Sequence, residues 1–202
     1  MMHIQPITLS GKIVRLEPLS TEHAAGLARV GLEPEIWRYM RYGMVETEKQ
    51  LRAWVGEILE LQSHGTDLAF TVIHQASGDP IGCTRYLNID CPNHALEIGG
   101  TWYGLAYQGT LVNTECKYLL MRHAFETLDC VRVWLKTDLR NLRSQRAIEK
   151  LGAVREGVLR NHMILPDGHI RDSVIYSIIP AEWPMVKQHL ETRLSNPSRT
   201  IG

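Results

Sequence analysis

Charge of either sign is not in excess: 22 Lys and Arg balance 22 Asp and Glu. That removes the main electrostatic argument for nucleic acid or an anionic membrane as partner. No run of about 18 apolar residues occurs, so no helical membrane span is expected. The opening MMHIQPITLSGK lacks a basic segment followed by an apolar one, so no secretory leader is expected either. Cysteine is sparse, with Cys83, Cys91, Cys116 and Cys130 only. None forms a C-x-x-C pair and none has a histidine at metal-binding spacing, so no metal is expected. The pattern fits reduced structural thiols in a cytoplasmic protein. Internal repeats and low-complexity segments are absent. So are a G-x-S-x-G nucleophile elbow and a G-x-G-x-x-G after the first strand, which argues against a serine hydrolase and a Rossmann fold.

What remains is an ordinary globular composition over 202 residues, 44% apolar and 22% charged. This is enough for one domain over 1–194, with a disordered tail over 195–202. Residues 13–19 alternate like a strand, and 21–30 read as a short helix with Ser20 as cap. Thr47 and Gln50 have capping-box spacing. Leu51, Trp54, Val55 and Ile58 behind them predict an amphipathic helix over 47–63. Residues 68–74 and 81–89 form a hairpin around A-S-G-D-P. Another strand covers 96–103, where Gly99-Gly100 points to a bulge or a close backbone approach. A loop over 104–112 leads to a helix near 113–128, then a strand at 131–137. A helix at 144–151 ends at Gly152. A hairpin follows at 155–165 and 170–179, and a closing helix at 181–194. The strand–helix–strand passage at 96–137 demands one parallel pair within a mostly antiparallel sheet. The fold class is therefore mixed α/β (α+β) with a central βαβ crossover and flanking helices.

The segment Gln108-Gly109-Thr110-Leu111-Val112-Asn113 opens the helix of the crossover. A loop feeding a helix start offers unpaired N–H groups and the positive end of the helix dipole, a ready phosphate site. It is equally the form of a plain strand-to-helix turn capped by Asn113 or Thr114.

The segment resembles the acetyl-CoA signature Q/R-x-x-G-x-G/A of the GNAT superfamily of N-acetyltransferases. The run Glu97-Ile98-Gly99-Gly100-Thr101-Trp102, followed by Tyr107-Gln108-Gly109, is similar to the branch related to ribosomal-protein N-acetyltransferases. So is Asn141-Leu-Arg-Ser144-Gln-Arg-Ala147-Ile-Glu-Lys150-Leu-Gly152-Ala153, with R-E-G-V-L-R at 155–160 and V-R-L-E-P-L at 14–19. The resemblance covers about residues 11–194. It departs from the pattern at Leu111 and Asn113, where the family has Gly and Gly or Ala. Glycine lets a pyrophosphate approach the backbone, so Leu111 bears on the loop geometry.

The resemblance implies an N-acetyltransferase that moves an acetyl group from acetyl-CoA to a primary amine in a ternary complex. The acceptor is a protein N-terminus or a small-molecule amine. It implies a GNAT fold in which the pantetheine arm lies between the strands at 96–103 and 131–137. The backbone of Thr101, Trp102 and Tyr103 would bind that arm, and Gln108, Gly109, Thr110, Leu111, Val112 and Asn113 the pyrophosphate. Asn141 would bind the pantetheine amide, and Ser144 would donate to the leaving thiolate. Arg143 and Arg146 are further candidates for the phosphates. The tyrosine that many relatives use as the acid is replaced by Ile148. Glu97 is the candidate general base, with His162 as the alternative; each also admits a structural role. Trp37, Tyr39, Met40, Tyr42, His162 and Arg171 are candidates for the acceptor side. A homodimer is left open. The rival reading is a GNAT-fold protein that binds CoA or another ligand without catalysis, favoured by Leu111 and Ile148.

Overall fold

A computed structural model describes residues 2–196. Eight strands form one sheet in the order β1-β2-β3-β4-β5-β6-β8-β7. They are β1 Leu9–Ser10, β2 Val14–Pro18, β3 Leu68–His74, β4 Pro80–Asp90, β5 Ala95–Tyr103, β6 Arg132–Asp138, β7 Val154–Ile164 and β8 Ile170–Ile178. Six α-helices flank it: α1 Ala24–Ala28, α2 Pro34–Trp37, α3 Glu48–Ser63, α4 Leu111–Glu126, α5 Leu142–Glu149 and α6 Trp183–Ser195. Every strand pair is antiparallel except β5 with β6. This is the expected mixed architecture.

Strand alternation sorts the core into two layers. Leu68, Phe70 and Val72 of β3 join Val133 and Leu135 of β6 and Val174 and Tyr176 of β8 against α4 and α6. Ala69, Cys83 and Trp102 point the other way, against α1, α2 and α3. There Trp102 meets Trp37 and Trp54 at ring-centroid distances of 5.5 and 5.9 Å. The α3 cap forms as expected: Thr47 accepts the Gln50 N–H and the Gln50 side chain reaches back to the Thr47 N–H. Leu51, Trp54, Val55 and Ile58 are its buried stripe.

Several boundaries differ from expectation. β1 and α2 carry no clear sequence signal. The helix expected over 21–30 is a 3-10 turn, Thr21–His23, followed by α1. α4 starts at Leu111, and its cap is Thr110 in place of Asn113 or Thr114. Thr110 has an extended backbone, and its Oγ1 accepts the Val112 N–H at 3.3 Å. Asn113 lies inside the first turn, where its Oδ1 accepts the Tyr103 hydroxyl at 3.2 Å. α5 likewise starts at Leu142, earlier than 144, because the Asn141 Oδ1 accepts the Ser144 N–H at 3.0 Å. Ser195, expected in the disordered tail, closes α6, and residues 197–202 of that expected tail lie outside the described residues.

One side chain of α4 holds the start of the sheet. Glu115 accepts the N–H of Lys12 at 2.9 Å and those of Ile13 and Val14 at 2.7 Å each. Gly11 lies directly against that carboxylate, where a Cβ has no room.

Candidate active site

The parallel ladder of β5 and β6 has three residue pairs: Ala95↔Arg132, Leu96↔Val133 and Glu97↔Trp134. Beyond Glu97, β5 continues on β4 and β6 continues on β8. The two strands therefore part at Glu97, and the β5 backbone from Ile98 onward faces a cleft. The opening is helped by the glycine pair. Three residues of β4, Cys83 to Arg85, oppose four of β5, Gly99 to Trp102, so β5 bulges, and Gly100 has φ +53°. That is a left-handed backbone for which glycine carries no steric penalty.

Glu97 sits at the fork, 2% exposed. Asn88 Nδ2 donates to its Oε2 at 2.7 Å, and Lys136 Nζ is 3.4 Å from the same oxygen. Burial pushes the carboxyl above its ordinary range, against the opposing pull of Lys136 and Asn88. A raised value poises a carboxylate as a base nearer neutral pH. Gly99 leaves room for it, since a Cβ there would stand 2.9 Å from Glu97 Oε1. Gly99→Ala is therefore expected to displace the carboxylate and lower turnover by about tenfold, while protein stability changes far less. Steady-state rates and melting curves of the variant check this. Gly100 makes the same kind of space for the Arg85 guanidinium.

Arg85 is buried, pairs with Asp67 at 2.8 Å and bonds to the Tyr42 hydroxyl. Its Nε has no partner among the described residues. Burial lowers the group to about 10. On the α4 side of the bulge lies a buried ammonium. Lys117 Nζ donates to Thr101 Oγ1 at 2.5 Å and to Thr84 Oγ1 at 3.3 Å, and burial lowers it to about 8.

His162 lies on β7, where its Nδ1 meets Ser173 Oγ at 2.9 Å. Burial and the charges of Lys136 and Arg171 hold the imidazole below its ordinary value. Arg171 Nε donates to the same Ser173 hydroxyl at 2.9 Å, and its Nη1 to the Tyr39 carbonyl at 3.3 Å. Glu97, Lys136, His162 and Arg171 thus share the sheet face that α1 to α3 cover only in part. Beyond those helices the face is open. A concavity of about 400 Å³ is lined by Trp134, Glu156, Gly157 and Ile175. A second, of about 790 Å³, is lined by Arg160, Asn161, His162 and Asp172. Val158 and Leu159 line both.

On the helix-start side, Gly109 has φ +75° and open space where a Cβ would stand. Gln108 turns inward: its Nε2 donates to the Tyr103 carbonyl at 2.9 Å and its Oε1 accepts from Arg143 Nη1 at 2.5 Å. The Tyr103 carbonyl is therefore occupied within the chain, and Arg143 is drawn to the loop. Trp102 and Tyr103 are core side chains. Asn141 and Ser144 are joined at the start of α5, after β6. Ile148 is buried in the core and offers no acid.

A family model for the acetyltransferase (GNAT) domain matches residues 14–154, more than two thirds of the chain. The chain belongs to the GNAT acetyltransferase family. An acetyltransferase structure from T. thermophilus is 41% identical, covers 96% of this chain and 100% of its own, and superposes with a TM-score of 0.87. A GCN5-related N-acetyltransferase from Brucella melitensis is 28% identical over 95% of this chain and 86% of its own, with a TM-score of 0.88. The uncharacterized N-acetyltransferase p20 of Bacillus licheniformis is 25% identical over 87% of this chain and 98% of its own. For a GNAT protein the parting of β5 and β6 at Glu97 is the feature of interest.

Lys136, Arg85, Asn88 and Lys117 are site residues that the sequence reading misses. The signal for Lys136 is present in R-V-W-L-K-T-D, where Trp134, Lys136 and Asp138 alternate with the core residues Val133 and Leu135. A polar residue at an interior position of a strand with one buried face marks the other face as a site. Nothing local marks Lys117, which reaches Thr84 across 33 residues.

Proposed function

We propose that the protein is an N-acetyltransferase that moves an acetyl group from acetyl-CoA directly to a primary amine. The observation that carries this reading is the buried Glu97 carboxylate at the point where β5 and β6 part. Acetyl-CoA supplies the activated acyl group as a thioester. The residues present fit it: the unpaired β5 edge from Ile98 can bond an extended amide chain. The open backbone at Gly109 and the α4 start suit a pyrophosphate. In this reading Thr101, Trp102 and Tyr103 contribute backbone, with Gln108 to Asn113 at the phosphates. The Tyr103 carbonyl and the Gln108 side chain already bond each other, so their contribution there is to shape the loop.

Glu97 takes the proton that the amine must lose, with Asn88 and Lys136 fixing its orientation. Its unbonded Oε1 is the acceptor atom. His162, already low in basicity, is the alternative. Ser144, whose hydroxyl has no partner among the described residues, stands for the departing thiolate, beside Asn141. Burial pushes the thiols of Cys83, Cys116 and Cys130 up, that of Cys116 to about 12, so none of these three is poised as a nucleophile. The open concavities along β7 favour an extended acceptor over an enclosed metabolite. The ribosomal N-acetyltransferase candidate YdaF of Bacillus subtilis, 30% identical over 52% of this chain and 57% of its own, agrees with a protein N-terminus as one acceptor class.

Free-thiol release from acetyl-CoA, read with a panel of amines and N-terminal peptides, tests the reading. Turnover of at least one amine is expected. CoA binding without any turnover would favour the rival reading of a non-catalytic binder, for which Leu111 and Ile148 are the motivating residues. Calorimetry with CoA at sub-millimolar concentration is expected to show binding. Leu111→Gly is expected to tighten it, because Leu111 occupies the first helical position, where a backbone approach is wanted. Unchanged or weaker affinity would mean that the loop accommodates Leu111 well.

A further inference from the structure

The buried charged groups of the acceptor face are each paired, with one exception. Asp67 pairs with Arg85 at 2.8 Å, Glu97 with Lys136 at 3.4 Å, and Asp138 with Arg140 at 2.9 Å. Arg171 has no carboxylate within 4.0 Å among the described residues, although it is only 7% exposed. Of its five N–H groups, the one on Nε is spent on Ser173 and one on Nη1 goes to the Tyr39 carbonyl. The others have no partner within the described residues. A guanidinium taken from water without a counter-ion is costly. Its planar fork matches a carboxylate in a bidentate geometry that a hydroxyl and a carbonyl do not satisfy.

This cation lies on the same sheet face as the proposed base. Lys136, the partner of Glu97, lies opposite Ile175 on β8. Ser173, which holds the Arg171 guanidinium, is two residues along the same strand, about 7 Å away. Both side chains rise from the same sheet face. The Glu97 and Arg171 charges are close enough to act on each other, so a short substrate can present an ammonium to Glu97 and an anion to Arg171.

We propose that Arg171 is the specificity residue of this active site, and that the acceptor amine carries a carboxylate a few bonds from the reacting nitrogen. The inference rests on the acetyltransferase reading and names its substrate class. Two sources present the same chemistry: a free amino acid, and a peptide whose first residue is Asp or Glu. Asp138, Arg140, Glu97 and His162 are the charged and titratable groups whose fields reach Arg171, and none forms an ion pair with it. Burial and the Arg140 charge hold Arg171 below its ordinary basicity, against the pull of Asp138 and Glu97; an incoming carboxylate acts in the direction of those two. Tyr39 links the recognition to the loop after α2, because its carbonyl fixes one end of the fork.

The test compares matched acceptors that differ only in charge. The twenty common amino acids are assayed against their α-carboxamides, and hexapeptides beginning with Asp or Glu against those beginning with Asn or Gln. Thiol release gives kcat/KM for each. At least one acid is expected to exceed its amide by about 30-fold or more, the scale of a buried charged pair broken on one side. Whether the free acids or the peptides show the preference identifies the source. Arg171→Gln is expected to abolish it, lowering kcat/KM for the acid far more than for the amide. Arg171→Lys should restore part of it, which also covers the case in which the glutamine variant folds poorly. Equal rates for acids and amides, or a preference that survives in Arg171→Gln, would overturn the proposal. Calorimetry of the N-acetylated acids and amides on the CoA-bound protein reads recognition without turnover. If no amine is acetylated, the catalytic reading fails, and the recognition stands only if an acid binds tighter than its amide in an Arg171-dependent way.

Discussion

Glu97→Gln is expected to lower turnover by about 10²-fold or more while leaving CoA affinity within a few fold, since a single general base contributes about 10²–10⁴-fold. The substitution preserves volume and the hydrogen bond from Asn88, so the loss isolates the proton-accepting role. The pH profile carries a second signature. The ionised form is the active one, and burial raises the Glu97 value. The acid limb of kcat/KM therefore falls at higher pH than an ordinary carboxylate would give, and the variant lacks that limb. Stability carries a third, with a defined sign. A carboxyl raised in the folded state favours folding while protonated, and that contribution is lost as pH rises through the folded value. Ionised Glu97 thus costs stability near neutrality, and Glu97→Gln is expected to be at least as stable as the parent at pH 8. Denaturant titrations at pH 5 and pH 8 should show the difference moving in the variant's favour with pH. Full activity in Glu97→Gln together with inactive His162→Ala would exchange the two roles. Full activity in both would leave positioning of the reactants as the enzyme's main contribution.

Glu115→Ala is expected to have the largest effect on stability and little on the chemistry. Its carboxylate accepts three N–H groups of residues 12–14. Truncation leaves those buried or half-buried donors without partners, each costing about 1–3 kcal/mol. The combined loss is about 3–5 kcal/mol, since such terms are not additive. For a chain of this size that lowers the melting temperature by roughly 10 °C. Glu115→Gln retains one acceptor oxygen and should lose less. Calorimetric melts at neutral pH check both. A loss under about 1 kcal/mol would mean that water replaces the carboxylate and that β1 is held by its pairing with β2 alone.

The contrast between the two glutamates shows what can be read without coordinates. Glu97 stands in a recognisable strand phrase beside a glycine pair, and both the bulge and the place of the carboxylate follow from that phrase. Glu115 has no mark, because its partners are about 100 residues away and its role is to hold the join of two short strands. The α3 cap and stripe are legible since Thr47, Gln50, Leu51, Trp54, Val55 and Ile58 interact within the helix or with one core layer. The starts of α4 and α5 lie two residues before their expected places for a common reason. Several polar residues near each start can cap, and the choice between Thr110 and Asn113 is decided by Tyr103, whose hydroxyl claims Asn113. From sequence, Arg171 is legible only as an acceptor-side candidate. Its significance comes from the pairing of the other buried charges on its face, a property of the assembled sheet that no local spacing encodes.

The seam between β5 and β6 also bears on how the chain is made. All five strands on one side of it precede residue 104, and all three on the other side follow residue 131, so the half-sheets are contiguous in sequence. A growing polypeptide emerging N-terminus first can complete β1 to β5 and dock α3 before any of β6 exists. The proposed base is then already in place on a finished surface, but its partner Lys136 and the whole of the β7–β8 hairpin are not. The reactive cleft is consequently completed only after the first half-sheet, and a nascent chain halted before β6 holds the carboxylate without the ammonium that restrains it.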